Sequence, residues 1–240
     1  MKHYAYESPF KMIDSDGKEY LLTVEYDDYA DSPRGWDNLC TMVCWSSHYS
    51  LGDKHYFDNP DEFMQHLYLD VTGKNWCDEH DGDDWQDVYK ALQETDLVLI
   101  KQINLYDHSG ITVSTSNGYP YNDRWDAGCV GFIYVTKKTI FDECGDITEE
   151  NWKELADTYL EGEMETYDQY LRNEVYSFTL EEKVHYRNET TCPHCGEVIK
   201  VDEYDDYEEV DSCCGFYGDC LEENGILDNI SGDLKFVEED

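Results

Sequence analysis

The chain has little positive charge: 17 lysines and arginines stand against 56 aspartates and glutamates in 240 residues, a formal net charge of −39. It has no basic patch interleaved with aromatics, which excludes direct nucleic-acid binding by charge attraction. No apolar run approaches the roughly 18–20 residues that a membrane-spanning helix needs. The first residues, M-K-H-Y-A-Y-E, lack the apolar stretch of a secretory signal. The expectation is a cytoplasmic protein with no membrane partner. Neither G-x-x-x-x-G-K-S/T nor G-x-G-x-x-G occurs, so the common phosphate-cradling loops are absent.

Apolar residues make up 40% of the chain and aromatics 15%, with 21 tyrosines and six tryptophans. Acidic disordered chains are poor in aromatics, so a folded core is expected. The charge far exceeds the magnitude of roughly 2–8 that keeps a small domain soluble. Self-repulsion on this scale opposes the compact state, and a function that uses the charge would explain its retention.

The apolar patterning predicts an α+β fold with antiparallel strands. Two β-prone runs flank the turn signal D-S-D-G, predicting a hairpin over 10–26. Short amphipathic helices are expected over 60–70 and 83–95, and strands over 97–106, 111–114, 130–136 and 175–186. A long acidic helix is expected over 148–172, with Thr148 as its N-cap and Glu149 and Glu150 in its first turn. A short helix near 219–230 precedes the acidic end. The expected division is an acidic body over 1–187 and a zinc-knuckle module with the acidic C-terminal segment over 188–240.

The charge is segregated. Residues 58–87 carry net −9, residues 142–168 net −10 and residues 201–240 net −14, whereas 88–141 is neutral. In the long helix Glu150, Glu154, Asp157, Glu161, Glu165 and Asp168 recur at spacings of three and four, which places them on one face. Asp78, Glu79, Asp81, Asp83 and Asp84 form a second cluster. Asp202, Glu203, Asp205, Asp206, Glu208 and Glu209 form a third. Like charges at helical spacing lower stability, but a row of carboxylates resembles a row of phosphates. Thirty-nine charges would match at most the phosphates of about 20 base pairs. These three clusters are the candidate surface for a basic nucleic-acid-binding protein.

Ten cysteines in a reducing compartment point to free thiols or metal ligands rather than disulfides. Cys192-Pro193-His194-Cys195-Gly196 has the sequence of a zinc knuckle, two thiolates reaching one tetrahedral metal. Asp211-Ser212-Cys213-Cys214-Gly215 also ends in Cys-Gly. The expected structural zinc set is therefore Cys192, Cys195 and Cys214, with Cys213, Asp211 or Cys220 as the fourth ligand. The stretch over 197–210 is expected to fold as a hairpin with an acidic tip, stapled by the metal.

Catalytic candidates are fewer. Asp107-His108-Ser109-Gly110 holds three triad residue types, but adjacency in sequence is not triad geometry, and a strand-ending loop accounts for it. The acidic run over 78–84 fails the calcium-loop pattern, because Cys77 and Val88 occupy the first and last ligand positions. The alternative enzyme reading places a pocket among Arg34, Trp36, Asp37, His108, Ser109, Trp125 and Asp126.

Four stretches together carry a resemblance: S-P-R-G-W-D-N-L-C-T-M-V-C-W over 32–45, Y-D-H-S-G-I-T-V-S-T-S over 106–116, W-D-A-G-C-V-G-F-I-Y-V-T over 125–136, and E-V-D-S-C-C-G-F-Y-G over 209–218. They resemble a family of acidic proteins from bacteriophages and mobile elements. The resemblance carries no catalytic residue; it implies an accessory protein in the cytoplasm of an infected bacterium. With the charge, it leads to the expectation of a DNA-mimic inhibitor, of anti-restriction or anti-CRISPR type. Its partner would be a basic nucleic-acid-binding protein of the host. The rivals are a small phage enzyme using the loops above and a non-mimetic adaptor for a basic host protein.

Overall fold

The computed structural model describes residues 2–80, 82, 84–115, 127–145, 147–230 and 232–237. The elements in chain order are β1 (Phe10–Ile13), β2 (Glu19–Tyr26), β3 (Thr41–Cys44), α1 (Pro60–Thr72), α2 (Trp76–Glu79) and α3 (Trp85–Glu94). Next come β4 (Val98–Asp107), β5 (Ile111–Ser114), β6 (Ala127–Thr136), α4 (Lys137–Glu143) and α5 (Trp152–Leu171). The chain ends with β7 (Val175–Thr191), β8 (Val198–Tyr217), α6 (Ile226–Asn229) and β9 (Lys235–Phe236). The fold is α+β with antiparallel sheets, and no helix among the described residues is long and apolar enough to cross a membrane.

The chain divides into two units, Met1–Asp31 with Asn173–Asp240, and Ser32–Arg172. The boundary expected at 187/188 falls inside β7, which stays paired with β8 from Val175 to Thr191.

In the second unit the sheet order is β3-β6-β4-β5, with helices on both faces. Alternation along β4 sends Val98 and Ile100 to one face and Ile103 and Leu105 to the other. The first pair packs with Phe63, Leu67, Val88 and Leu92 of α1 and α3. The second packs with Trp152, Ala156, Leu160 and Met164 of α5. Those four recur every fourth residue and form the helix's buried stripe. Gly131 sits where β6 meets β3: a Cβ there would lie 2.2 Å from the Val43 carbonyl oxygen, so no larger residue fits without moving a strand. The α5 cap differs from expectation. Asn151 occupies the N-cap without a side-chain bond to the helix, and its Oδ1 instead accepts from the Thr148 N–H at 2.8 Å.

In the first unit the sheet order is β8-β7-β2-β1-β9. The expected hairpin is present as β1 and β2, with Phe10 opposite Leu22 and Met12 opposite Tyr20. Leu22 and Val24 of β2 face Leu180 and Phe178 of β7, and Phe216, Leu221, Ile226 and Ile230 complete this core. Only Ile226–Asn229 of the expected helix near 219–230 is α-helical.

The largest departure concerns 197–210. This stretch is not a hairpin but part of a single 20-residue strand, β8, and the Cys-Pro-His-Cys-Gly segment is the turn that joins it to β7. The physical reason is turn chemistry. Residues 198–214 contain no glycine, proline or asparagine, whereas Pro193 and Gly196, at φ 76°, supply the reversal.

Candidate interaction surface

β7 pairs with β2 only from Tyr176 to Glu182. Beyond that it pairs with β8 alone, so residues 183–191 and 198–207 form a two-stranded ribbon about 30 Å long at the usual strand rise. Every residue from Val198 to Gly215 is exposed. Isolated hairpins are marginal in water, so this one needs cross-strand support. Tyr186 stacks on Tyr204 with ring centroids 5.3 Å apart. His185 Nδ1 lies 2.8 Å from Asp205, and Lys183 lies 3.5 Å from the same carboxylate. Hydrogen bonding from His185, reinforced by Lys183, holds the Asp205 carboxyl below its ordinary range. Arg187 stands opposite Glu203 at 3.6 Å.

The base of the ribbon is arranged differently. Glu181 stands directly opposite Glu209, and Glu182 directly opposite Glu208. Like charges at such positions destabilise a sheet. Lys18 reaches Glu182 at 2.7 Å. Over residues 181–211 eleven acids face three lysines and arginines, a net −8.

The other two acidic clusters are used more locally. In α5, Lys101 pairs with Asp157 and, at 2.7 Å, with Glu161, which also accepts from the Thr115 hydroxyl at 2.6 Å. Asp168 accepts from the Thr112 hydroxyl at 2.6 Å and the Val113 N–H at 2.8 Å, and pairs with Arg172 at 3.0 Å. Glu154 and Glu165 of the same row are exposed; Glu150, expected in it, precedes the N-cap Asn151 and so lies outside α5. In the cluster near residue 80, Asp84 N-caps α3, while Asp78 and Glu79 sit in the first turn of α2, where the helix dipole favours them. Lys74 pairs with Glu79 at 2.9 Å. Asp81 and Asp83 lie outside the described residues.

The expected four-cysteine zinc set is not assembled. Cys213 pairs with Phe178 and Cys214 with Ser177, whereas Cys192 and Cys195 lie beyond Thr191 in the tip turn. Thr191 lies thirteen positions beyond Phe178 along the strand, about 40 Å at the usual rise. Among the described residues no group of three or more His, Cys, Asp or Glu side chains is placed to hold one metal. The tip itself is well formed. The Cys192 sulfur accepts from the N–H groups of His194 and Cys195, with the Cys195 thiol beside it, and these bonds hold the Cys192 thiol below its ordinary range.

Among the residues of the alternative enzyme pocket, Arg34, His108 and Ser109 have structural partners or places in the fold. Four of the five N–H donors of the Arg34 guanidinium are engaged by Asp53, Glu163 and the Cys40 carbonyl. His108 and Ser109 form the β4–β5 turn, where the His108 N–H donates to the Gly110 carbonyl at 3.1 Å and Ser109 adopts φ 60°. Trp36 is half-exposed after a short 3-10 turn, and Asp37 is exposed. Trp125 and Asp126 lie outside the described residues.

Sequence reasoning missed the glutamate pairs at the base of the ribbon and the basic residues that support its middle. The signal was there: a 17-residue run over 198–214, rich in tyrosines, acids and β-branched residues, without glycine, proline or asparagine. Comparison with protein-family models, with curated proteins and with solved structures finds no match for this chain.

Proposed function

We propose that this protein is a nucleic-acid mimic that occupies the basic nucleic-acid-binding surface of a host defence protein, and that the β7–β8 ribbon is its principal contact. The observation that carries the reading is the glutamate pairing at the base of the ribbon, Glu181 with Glu209 and Glu182 with Glu208. A ribbon built only for stability would place opposite charges there, as it does at Arg187 and Glu203. Carboxylates set against carboxylates lower stability; Lys18 meets Glu182 at 2.7 Å, and a basic partner would supply the counter-charge for Glu181, Glu208 and Glu209.

The density of charge supports the same reading. Over residues 181–211, about 36 Å of paired strand, eleven acids give one carboxylate per about 3 Å and the net −8 one charge per about 4–5 Å, nearer the 3.4 Å per phosphate of one nucleic-acid strand than the 1.7 Å of a duplex. The ribbon therefore resembles a single strand more than a duplex, and a groove that holds one displaced strand fits it best. The defence context, restriction or RNA-guided nucleases, rests on the resemblance of the motifs to acidic phage proteins.

Cleavage assays with a panel of restriction and RNA-guided nucleases test the reading. At least one should be inhibited, and inhibition should be relieved by added single-stranded DNA more readily than by duplex. Unchanged cleavage across the panel at micromolar protein would sink it.

A further inference from the structure

We propose that Cys192 and Cys195 form half of a tetrahedral zinc site that a second copy of this chain completes, joining two ribbons tip to tip. The inference does not depend on the mimic reading.

The tip has the form of a metal knuckle before any metal binds. The Cys192 N–H donates to the Glu197 carbonyl at 2.7 Å, and the Gly196 N–H to the Cys192 carbonyl at 2.9 Å. That tight turn holds Cys192 and Cys195 at the C-x-x-C spacing with which two thiolates reach one metal. Such a pair spans one edge of a tetrahedron and leaves two positions open. Structural zinc takes four protein ligands. Within one chain the site goes no further: Glu197 Oε2 lies 3.8 Å from the Cys195 sulfur, but among the described residues no group of three or more His, Cys, Asp or Glu side chains is placed to hold one metal, and Cys213 and Cys214 are tens of ångströms away. A second knuckle related by a twofold axis through the metal supplies an identical edge, and this self-complementary contact closes at two copies.

Charge also favours meeting at the tip. The chain carries −39, yet residues 187–201 hold two acids and two lysines and arginines. The ribbon stands about 30 Å beyond its last pairing with β2, several Debye lengths of about 8 Å, so tips can meet while the acidic sheets stay screened from each other. Beside the knuckle Val198, Ile199 and Val201 are 48%, 64% and 42% exposed, an apolar collar that a second tip would cover. On binding, each of four thiols releases a proton to solvent and one Zn²⁺ takes four thiolates, with no change of oxidation state.

The test uses the full chain, reduced and stripped of metal, with Zn²⁺ as the only addition. Sedimentation velocity and elemental analysis should show dimer forming in step with zinc and saturating at one zinc per two chains. Cobalt in place of zinc should give a tetrathiolate spectrum. The Cys192→Ser/Cys195→Ser chain should stay monomeric with unchanged circular dichroism, and the Cys213→Ser/Cys214→Ser chain should dimerise like the parent. One zinc per monomer, no zinc binding, a dimer that survives chelator, or loss of zinc on changing Cys213 and Cys214 would each overturn the proposal.

Discussion

Arg34 grips Asp53 through both carboxylate oxygens: Nε donates to Oδ1 at 2.9 Å and Nη2 to Oδ2 at 2.8 Å. Nη1 donates to Glu163 of α5 at 2.8 Å, and Nη2 also reaches the Cys40 carbonyl at 2.8 Å. The carboxylates then accept from the backbone, Asp53 from Met42 and Glu163 from Leu39 and Cys40. One guanidinium, 5% exposed, thus ties the approach to β3 and the loop after it to the long helix. That is a fold clamp rather than a substrate clamp.

Removing it should therefore act on stability. Arg34→Ala leaves Asp53 and Glu163 without their counter-charge, and breaking a buried pair in this way costs about 3–5 kcal/mol. Their exposures of 24% and 14% place the loss near the lower end. Arg34→Lys should lose part of it, because an ammonium cannot supply the planar fork. Denaturant unfolding followed by tryptophan fluorescence checks this; a parent-like midpoint for the alanine variant would refute the clamp.

The parts of the fold that buried a face were legible. The hairpin over 10–26 and the helical spacing of Trp152, Leu160, Met164 and Tyr167 announce themselves because apolar residues recur at the period of the element, whereas buried Ala156 does not stand out and Tyr159 of the same apolar set is exposed. β8 buries almost nothing, so no period marks it, and its length is fixed only by pairing with β7. The same blindness misplaced the zinc set. Fifteen residues between Cys195 and the Asp-Ser-Cys-Cys run suit a folded-back loop and rule out a shared metal once those residues are extended. For α5 the spacing put the acids on one face. It could not tell that Lys101 and the Thr112–Val113 backbone would engage Asp157, Glu161 and Asp168, because that depends on where β4 and β5 run.

Acid should weaken the first unit through Glu222. This carboxylate is opposed by desolvation but accepts from the His3 N–H at 3.0 Å and faces the His3 ring at 2.7 Å, which brings its pKa down to about 2. A carboxyl lower in the folded state than its usual value of about 4.3 stabilises the fold above that value. The contribution fades as pH falls from about 5 toward 2. Protonation elsewhere also relieves repulsion in a chain of −39, so the parent's own curve mixes both effects. Comparison with Glu222→Gln cancels the common part. The parent should melt higher at pH 6, and the gap should close near pH 2. A gap that does not change with pH would show that the carboxylate charge is not what stabilises this contact.

The ribbon carries the functional claim, and its carboxylates can be neutralised without dismantling it. Asp202, Asp206, Glu208 and Glu209 are exposed on β8 and leave the supporting pairs at Glu203 and Asp205 intact. Changing these four to their amides removes both glutamate–glutamate oppositions, so the fold should hold and its melting temperature should rise slightly. Binding to the nuclease that the parent inhibits should weaken. The slope of log affinity against log salt should become shallower by about one for each contacting carboxylate lost, as when charge contacts are lost from a protein–DNA complex. Glu154→Gln with Glu165→Gln is the proper comparison in α5, because Asp157, Glu161 and Asp168 are engaged with their own unit. That pair should change binding less than the ribbon variant does. Equal losses would extend the contact to α5. Parent-like affinity and salt slope in the ribbon variant, with a larger loss from the α5 pair, would move the mimic surface off the ribbon. If neither variant altered binding, mimicry by carboxylate charge would be wrong.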